Sequence, residues 1–303
     1  MTERASKITV LTGLALAVVA YFLPHQAGDL VLTDGETAAV DDALVLQLEK
    51  FSIPTYPSGR PRQYVCAAKA SEDGGATWRD VEISVNRPLR ARSWWIYQMS
   101  YAQGADGSLT TQLRCVREPG FPLAVVSWLL AALGALGLCF TFRPPTSASA
   151  GRGRKILSWT CALAAVCLPV FVIGRAVLRP EPVPALQSPL MAPHVAAYAA
   201  SYLIMLFAVF GIGRRFMAVG YFLMTCGLVL GAWWGKVVWG AWWQCDPKEM
   251  WSLATWLVYT AYFLLSGRPR TELALRILGA VLVVVTLTWV NFSRLFAGLH
   301  TYA

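Results

Sequence analysis

The sequence predicts a mainly α-helical, polytopic membrane protein of about seven transmembrane helices, with one β-rich domain inserted outside the membrane. Three observations carry this prediction. Of 303 residues, 56% are hydrophobic and only 14% are charged. Several apolar runs approach the length that crosses a bilayer, roughly 20 helical residues. Between the first two runs the pattern changes to charges, turn residues and period-two alternation.

The elements follow in order. Residues 1–23 hold the first helix, with Ile8–Leu23 apolar behind Arg4 and Lys7. The run ends in Tyr21-Phe22-Leu23-Pro24 with no small-residue cleavage site, so it reads as a retained helix and not a signal peptide. Residues 24–120 form the β-rich domain. Strands are expected at Leu44–Leu48, Gln63–Ala67, Val81–Val85, Trp94–Tyr101 and Leu109–Val116, separated by turn signals such as Asp73-Gly74-Gly75. A small sandwich or barrel fits. Residues 121–142 are the second helix and 143–155 a basic Pro/Ser/Gly linker. Residues 156–303 hold the remaining helices: Ile156–Gly174, His194–Phe210, Phe216–Ala232, Met250–Leu265 and Leu273–Val290.

A net charge of +9 raises nucleic acid as a partner, but the basic residues cluster in short loops between apolar runs, where they set orientation. Arg4 and Lys7, then Arg143, Arg152, Arg154 and Lys155, then Arg214 and Arg215, then Arg268, Arg270 and Arg276 belong inside by the positive-inside rule. Counting crossings puts the β-domain, His194, the Trp-rich segment and His300 outside. Seven cysteines include no CxxC pair. Cys66 and Cys115 fall in expected strands, and a pairing between them stays open.

The segment 233–256, WWGKVVWGAWWQCDPKEMWSLATW, holds seven of the thirteen tryptophans. Asp246-Pro247-Lys248-Glu249 within it is a helix start: Asp caps, Pro fits the first position, and Glu three residues on completes a capping box. The aromatic run is denser than a membrane-interface belt and suits a large, flat, apolar ligand. Haem is such a ligand. It needs ring surfaces, axial donors and cations for its propionates. His194 and His300 offer the donors; Lys236, Lys248, Arg179 and Arg294 offer the cations. The competing reading of each is bland. A histidine at a helix end is more often interfacial than a ligand, and a lysine or arginine there more often meets headgroups. His25 has no companion motif and reads as interfacial.

Trp239-Gly-Ala-Trp242-Trp243-Gln-Cys-Asp246-Pro-Lys-Glu-Met-Trp251-Ser-Leu-Ala-Thr-Trp256 resembles the signature of System II cytochrome c synthetases of the CcsA or ResC type. Gln187-Ser-Pro-Leu190 leading to His194, and Gly298-Leu-His300-Thr-Tyr302, resemble that family's two external histidine motifs. The first half resembles the partner ResB (CcsB) type through Val85–Leu89, Trp95–Tyr101 and Arg117-Glu-Pro-Gly120. The resemblance implies a shortened fusion in a bacterial plasma membrane, with the β-domain and haem site on the periplasmic side. By the same resemblance, haem b would be bound there as substrate, with His194 and His300 as axial ligands and Trp239, Trp242, Trp243, Asp246, Trp251 and Trp256 holding the ring. Haem would be joined by thioethers to the CxxCH cysteines of apocytochrome c. A thiol-reducing partner, and a further ResB-like or other assembly subunit, are implied with it.

The sequence departs from the pattern at several points. Cys245 stands where the family has an aromatic residue. It either fills space, in which case a ring is tolerated there, or offers a thiolate to the haem. No histidine lies in the inner half of a helix, and the chain stops at Ala303, before the family's last helix. Two further readings therefore stand beside a haem lyase: a non-enzymatic haem-holding accessory subunit, and a structural membrane subunit binding lipid or quinone.

Overall fold

The computed structural model describes residues 1–141, 152–176 and 181–292. Helix α1 (Glu3–Phe22) leads into eight strands: β1 (Gln26–Thr33), β2 (Thr37–Ala39), β3 (Val45–Ser52), β4 (Val65–Ser71), β5 (Arg79–Ser84), β6 (Leu89–Ala91), β7 (Trp94–Gln103) and β8 (Leu109–Arg117). Six helices follow: α2 (Phe121–Thr141), α3 (Arg152–Ala176), α4 (Met191–Phe207), α5 (Arg214–Trp239), α6 (Pro247–Leu264) and α7 (Pro269–Phe292).

The strands make two antiparallel sheets, ordered β1-β8-β7-β6 and β2-β3-β4-β5. Their inner faces share one core, with Leu46, Leu48 and Phe51 of β3, Cys66 of β4 and Ile83 of β5 against Ile96 of β7 and Leu113 and Cys115 of β8. In β3 the alternation slips once. A bulge between Leu48 and Lys50 turns Glu49 and Lys50 outward together and returns Phe51 to the core. All five expected strands are present. Strands β1, β2 and β6 are additional. In β1 only Leu32 is buried, so there was no alternation to read, and its pairing with β8 makes it a strand.

Cys66 and Cys115 are both free thiols. Burial pushes Cys66 up to about 11 and Cys115 up to about 12, so both stay protonated and unreactive near neutral pH.

Helices α1 and α2 touch through small residues. A Cβ at Gly13 would lie 2.6 Å from the Ala131 nitrogen, and one at Gly134 would lie 2.6 Å from the Val10 nitrogen. Such close backbone approach is how apolar helices associate in lipid, where hydrophobic burial alone gives no preference. A second core joins α4, α5, α6 and α7 around Met205, Tyr221, Met224, Trp256, Tyr259 and Val283. Its polar atoms are internally satisfied: Tyr221 Oη lies 2.8 Å from Thr260 Oγ1, and Trp256 Nε1 donates to Thr225 Oγ1 at 2.9 Å.

Seven α-helices occur among the described residues, and five are long and apolar enough to cross a membrane: α1, α2, α4 with the turn after it, α5, and α7 as far as Thr288. The apolar part of α3 among the described residues is the shorter Ile156–Cys167. Helix α6 opens on Lys248-Glu249 and carries Ser252, Thr255 and Thr260, which dilute its hydropathy.

One boundary differs with consequence. The fifth helix does not stop at Ala232 but runs on to Trp239, so Trp233, Trp234 and Trp239 are helical. It ends at Gly240, at φ +80°, whose N–H bonds to the Lys236 carbonyl at 3.2 Å. Glycine is required there twice over: for the left-handed backbone, and because the Tyr97 ring lies 3.1 Å from where a Cβ would project.

Candidate functional site

His194 occupies the first turn of α4 and is seated on α5. Its Nδ1 lies 2.8 Å from the carbonyl oxygen of Gly227. A carbonyl only accepts, so Nδ1 carries the proton, and in the neutral form of the ring the lone pair is then on Nε2. The seat is cut by glycine. A Cβ at Gly231 would lie 2.5 Å from His194 Cε1, and one at Gly227 would lie 2.8 Å from the Tyr198 ring. Tyr198 packs edge-on at 5.2 Å from the imidazole, and Trp234 lies tilted at 6.1 Å. Trp234 is in turn fixed by its Nε1, which donates to the Ala185 carbonyl at 3.1 Å, and by Trp239 at 4.8 Å.

The other tryptophans separate into different settings. Trp233 is 41% exposed and meets Trp242 edge-on at 6.1 Å. Trp242 is only 8% exposed, wedged among Ala20 of α1, Ala124 of α2 and Ala232 of α5, with Phe121 at 5.5 Å. Its Nε1 is buried with no hydrogen-bond partner among the described residues. Trp256, 2% exposed, stacks on Tyr221 at 5.7 Å in the interhelical core. Trp243 and Trp251 are half-buried on either side of the α6 start. Thus Trp234 and Trp239 share the His194 neighbourhood, whereas Trp242 and Trp256 pack between helices.

The α6 start is the capping box the sequence predicts. Asp246 accepts from the Lys248 N–H at 2.9 Å, and Glu249 accepts from the backbone N–H groups of Asp246 and Gln244 at 3.3 and 2.8 Å. Cys245, just before the cap, is exposed and has φ +56°. Its Sγ lies 3.8 Å from Tyr21 Oη of α1. The left-handed backbone weighs against a tryptophan here, because a bulky side chain is strained in that conformation.

Lys236, read from sequence as a cation for haem propionates, is engaged elsewhere. Its side chain is 3% exposed, and its Nζ donates to Glu118 Oε2 and, at 3.0 Å, to the Gly240 carbonyl. Glu118 lies between β8 and α2, so this pair joins the strand-bearing half to the end of α5. Beside it, Tyr97 Oη is buried with no hydrogen-bond partner among the described residues, and burial raises that hydroxyl above the ordinary phenol range. His300, Arg179 and Arg294 lie outside the described residues, as do linker positions 143–151.

Residues 8–140 match the ResB-like family, and residues 209–297 match the family described as Cytochrome C assembly protein. The chain joins a ResB-like part to a part of the CcsA/ResC type. The CcsA-type part is 41% identical over 94 residues to Cytochrome c biogenesis protein CcsA of Prochlorococcus marinus (strain MIT 9303), covering 29% of this chain and 28% of that protein. It is 44% identical over 90 residues to the protein of the same name from Synechococcus sp. (strain WH7803), with the same coverage. The chain therefore matches under a third of the length of these relatives. The Trp-rich segment lies wholly within the matched span, and His194 precedes it.

Sequence reasoning missed Gly227 and Gly231, the seat of His194, and the Glu118–Lys236 pair. A signal for the first existed: Gly227, Gly231 and Gly235 recur every fourth residue, the spacing of a close helix contact. For the second there was none, since the partners are 118 residues apart.

Proposed function

We propose that this chain acts in cytochrome c biogenesis as a haem lyase. It takes haem b as substrate at the outer face of a bacterial plasma membrane and presents it to the CxxCH cysteines of apocytochrome c for thioether formation. Seven membrane crossings, with the sandwich and the Trp-rich segment outside, complete the reading.

The observation that carries it is the His194 Nδ1–Gly227 carbonyl hydrogen bond. A ligating histidine characteristically donates its other ring nitrogen to a carbonyl or carboxylate, which fixes the tautomer and aims the lone pair. His194 meets that requirement beside the aromatic walls of Trp234 and Trp239. In this reading His300 supplies the second axial donor. Trp239, Trp243 and Trp251 face the ring, Asp246 fixes where α6 begins, and Trp242 and Trp256 brace the helices behind.

The test is purification in mild detergent of wild type, His194→Ala and His300→Ala, comparing haem content and reduced spectra with and without imidazole. Maturation of a co-expressed CxxCH reporter is measured alongside. Loss of haem that imidazole restores supports ligation. Wild-type spectra and maturation in both variants rule it out. Haem binding without reporter maturation by the wild type points instead to an accessory haem-holding subunit.

A further inference from the structure

The strap 181–190, which leads into α4, contains Pro182, Pro184 and Pro189. Proline removes backbone donors and stiffens the chain, so the strap's carbonyls need partners from elsewhere. The ResB-like sandwich supplies them. Asn86, in the turn between β5 and β6, donates through Nδ2 to the Pro184 carbonyl at 2.6 Å. Tyr56, in the β3–β4 loop, donates to the Pro182 carbonyl at 3.1 Å. The strap returns the contact, with Gln187 Nε2 donating to the Arg62 carbonyl at 2.8 Å. On its other side, the Ala185 carbonyl takes the Trp234 indole. Three residues past Gln187, the Leu190 carbonyl accepts from the His194 N–H at 3.1 Å in the opening turn of α4.

We infer that the sandwich is a positioning element for His194: it holds the strap, and the strap sets where the imidazole meets Gly227. The inference rests on the reading of His194 as a haem ligand, and it gives the ResB-like part a defined mechanical task in that site. Asn86 is suited to the task. It sits at φ +68°, a conformation asparagine tolerates, and its side chain is turned onto the strap and not onto its own turn.

Asn86→Gly is the informative variant, because glycine keeps the left-handed turn and removes only the grip. It is combined with Gln187→Ala in the full chain. Three readouts are taken: the thermal unfolding midpoint, hydrogen exchange across 183–194 in haem-free protein, and haem content and reduced spectrum with and without imidazole, beside His194→Ala. Loss of the hydrogen bonds made by Asn86 and Gln187 should raise exchange across the strap on the order of tenfold. The midpoint should move by only a few degrees, and haem retention should fall and be rescued by imidazole. Unchanged exchange overturns the inference. So does unchanged haem retention while His194→Ala still loses haem, with the ligand assignment left intact. A His194→Ala chain that keeps haem and spectrum removes the ligand assignment and the inference together.

Discussion

Lys236 of α5 and Glu118 of the β8–α2 connection form an ion pair with the lysine almost wholly enclosed. The pair bridges residues matched by the two different families, 8–140 and 209–297. Breaking one side of such a pair strands a charge, which typically costs about 3–5 kcal/mol, whereas replacing both sides can be near neutral. Lys236→Met is therefore expected to lower the unfolding midpoint by many degrees, and Lys236→Met with Glu118→Leu to recover most of the loss. A double variant as unstable as the single one would show that the lysine acts through its Gly240 contact. Tyr97→Phe, which deletes a buried hydroxyl with no hydrogen-bond partner among the described residues, should be neutral or stabilising by about 1 kcal/mol.

At Gly231 a methyl group would project into the His194 ring, 2.9 Å from Nδ1. Gly231→Ala should push the imidazole off the Gly227 carbonyl and reduce haem retention. Gly235→Ala, whose nearest contact is 3.4 Å, should be mild by comparison. The check is the reduced haem spectrum of each at matched expression; equal behaviour of the two variants would sink the seat as an explanation.

Asp41 ties the two sheets of the sandwich. It accepts from the Leu44 N–H at 2.7 Å and from Trp94 Nε1 at 2.7 Å, bonds that hold its carboxyl below the ordinary range. A depressed carboxyl contributes stability that is present above its unfolded value, about 3.9, and is lost as pH falls through the lower folded value. Sandwich stability should therefore drop below about pH 4, and Asp41→Asn should weaken it at neutral pH while flattening that acid slope. Trp94 fluorescence across a pH series in wild type and variant measures both.

Cys245 holds a conformation that favours glycine. Cys245→Gly should be stabilising by up to about 1 kcal/mol, and Cys245→Trp should destabilise the α6 start by a similar amount or more. Asp246→Ala should cost about 1 kcal/mol and Asp246→Asn less, since asparagine also caps. Thermal midpoints rank all four; a Cys245→Trp chain as stable as wild type would show that the loop relaxes.

The elements governed by local chemistry were legible in the sequence. The capping box at Asp246 and Glu249, the alternating strands β3 and β7, and the apolar helices each announce themselves within a few residues. What could not be read depends on distant partners. Strand β1 is specified by β8, whose paired residues lie 77 to 91 positions further on. Lys236 is claimed by Glu118, and Trp256 is claimed by Tyr221 and Thr225. The tryptophan run misled for a related reason. It reads as one platform along the sequence, but α5 winds Trp233 and Trp234 to different neighbours, Trp242 and His194.

The α1–α2 helix pair and the β1–β8 ladder are the same two stretches of chain, packed side by side first through glycine and then through hydrogen bonds. The connectors are equal in length: Leu23 to His25 on one side and Glu118 to Gly120 on the other, three residues each. The sandwich thus stands on two legs of matched length fused along their whole run, and it cannot swivel about either one alone. Lengthening one leg by a single residue would force the Gln26–Arg117 register to slip or the sandwich to tilt. Lengthening both by the same amount would instead lift it straight away from α4 and α5.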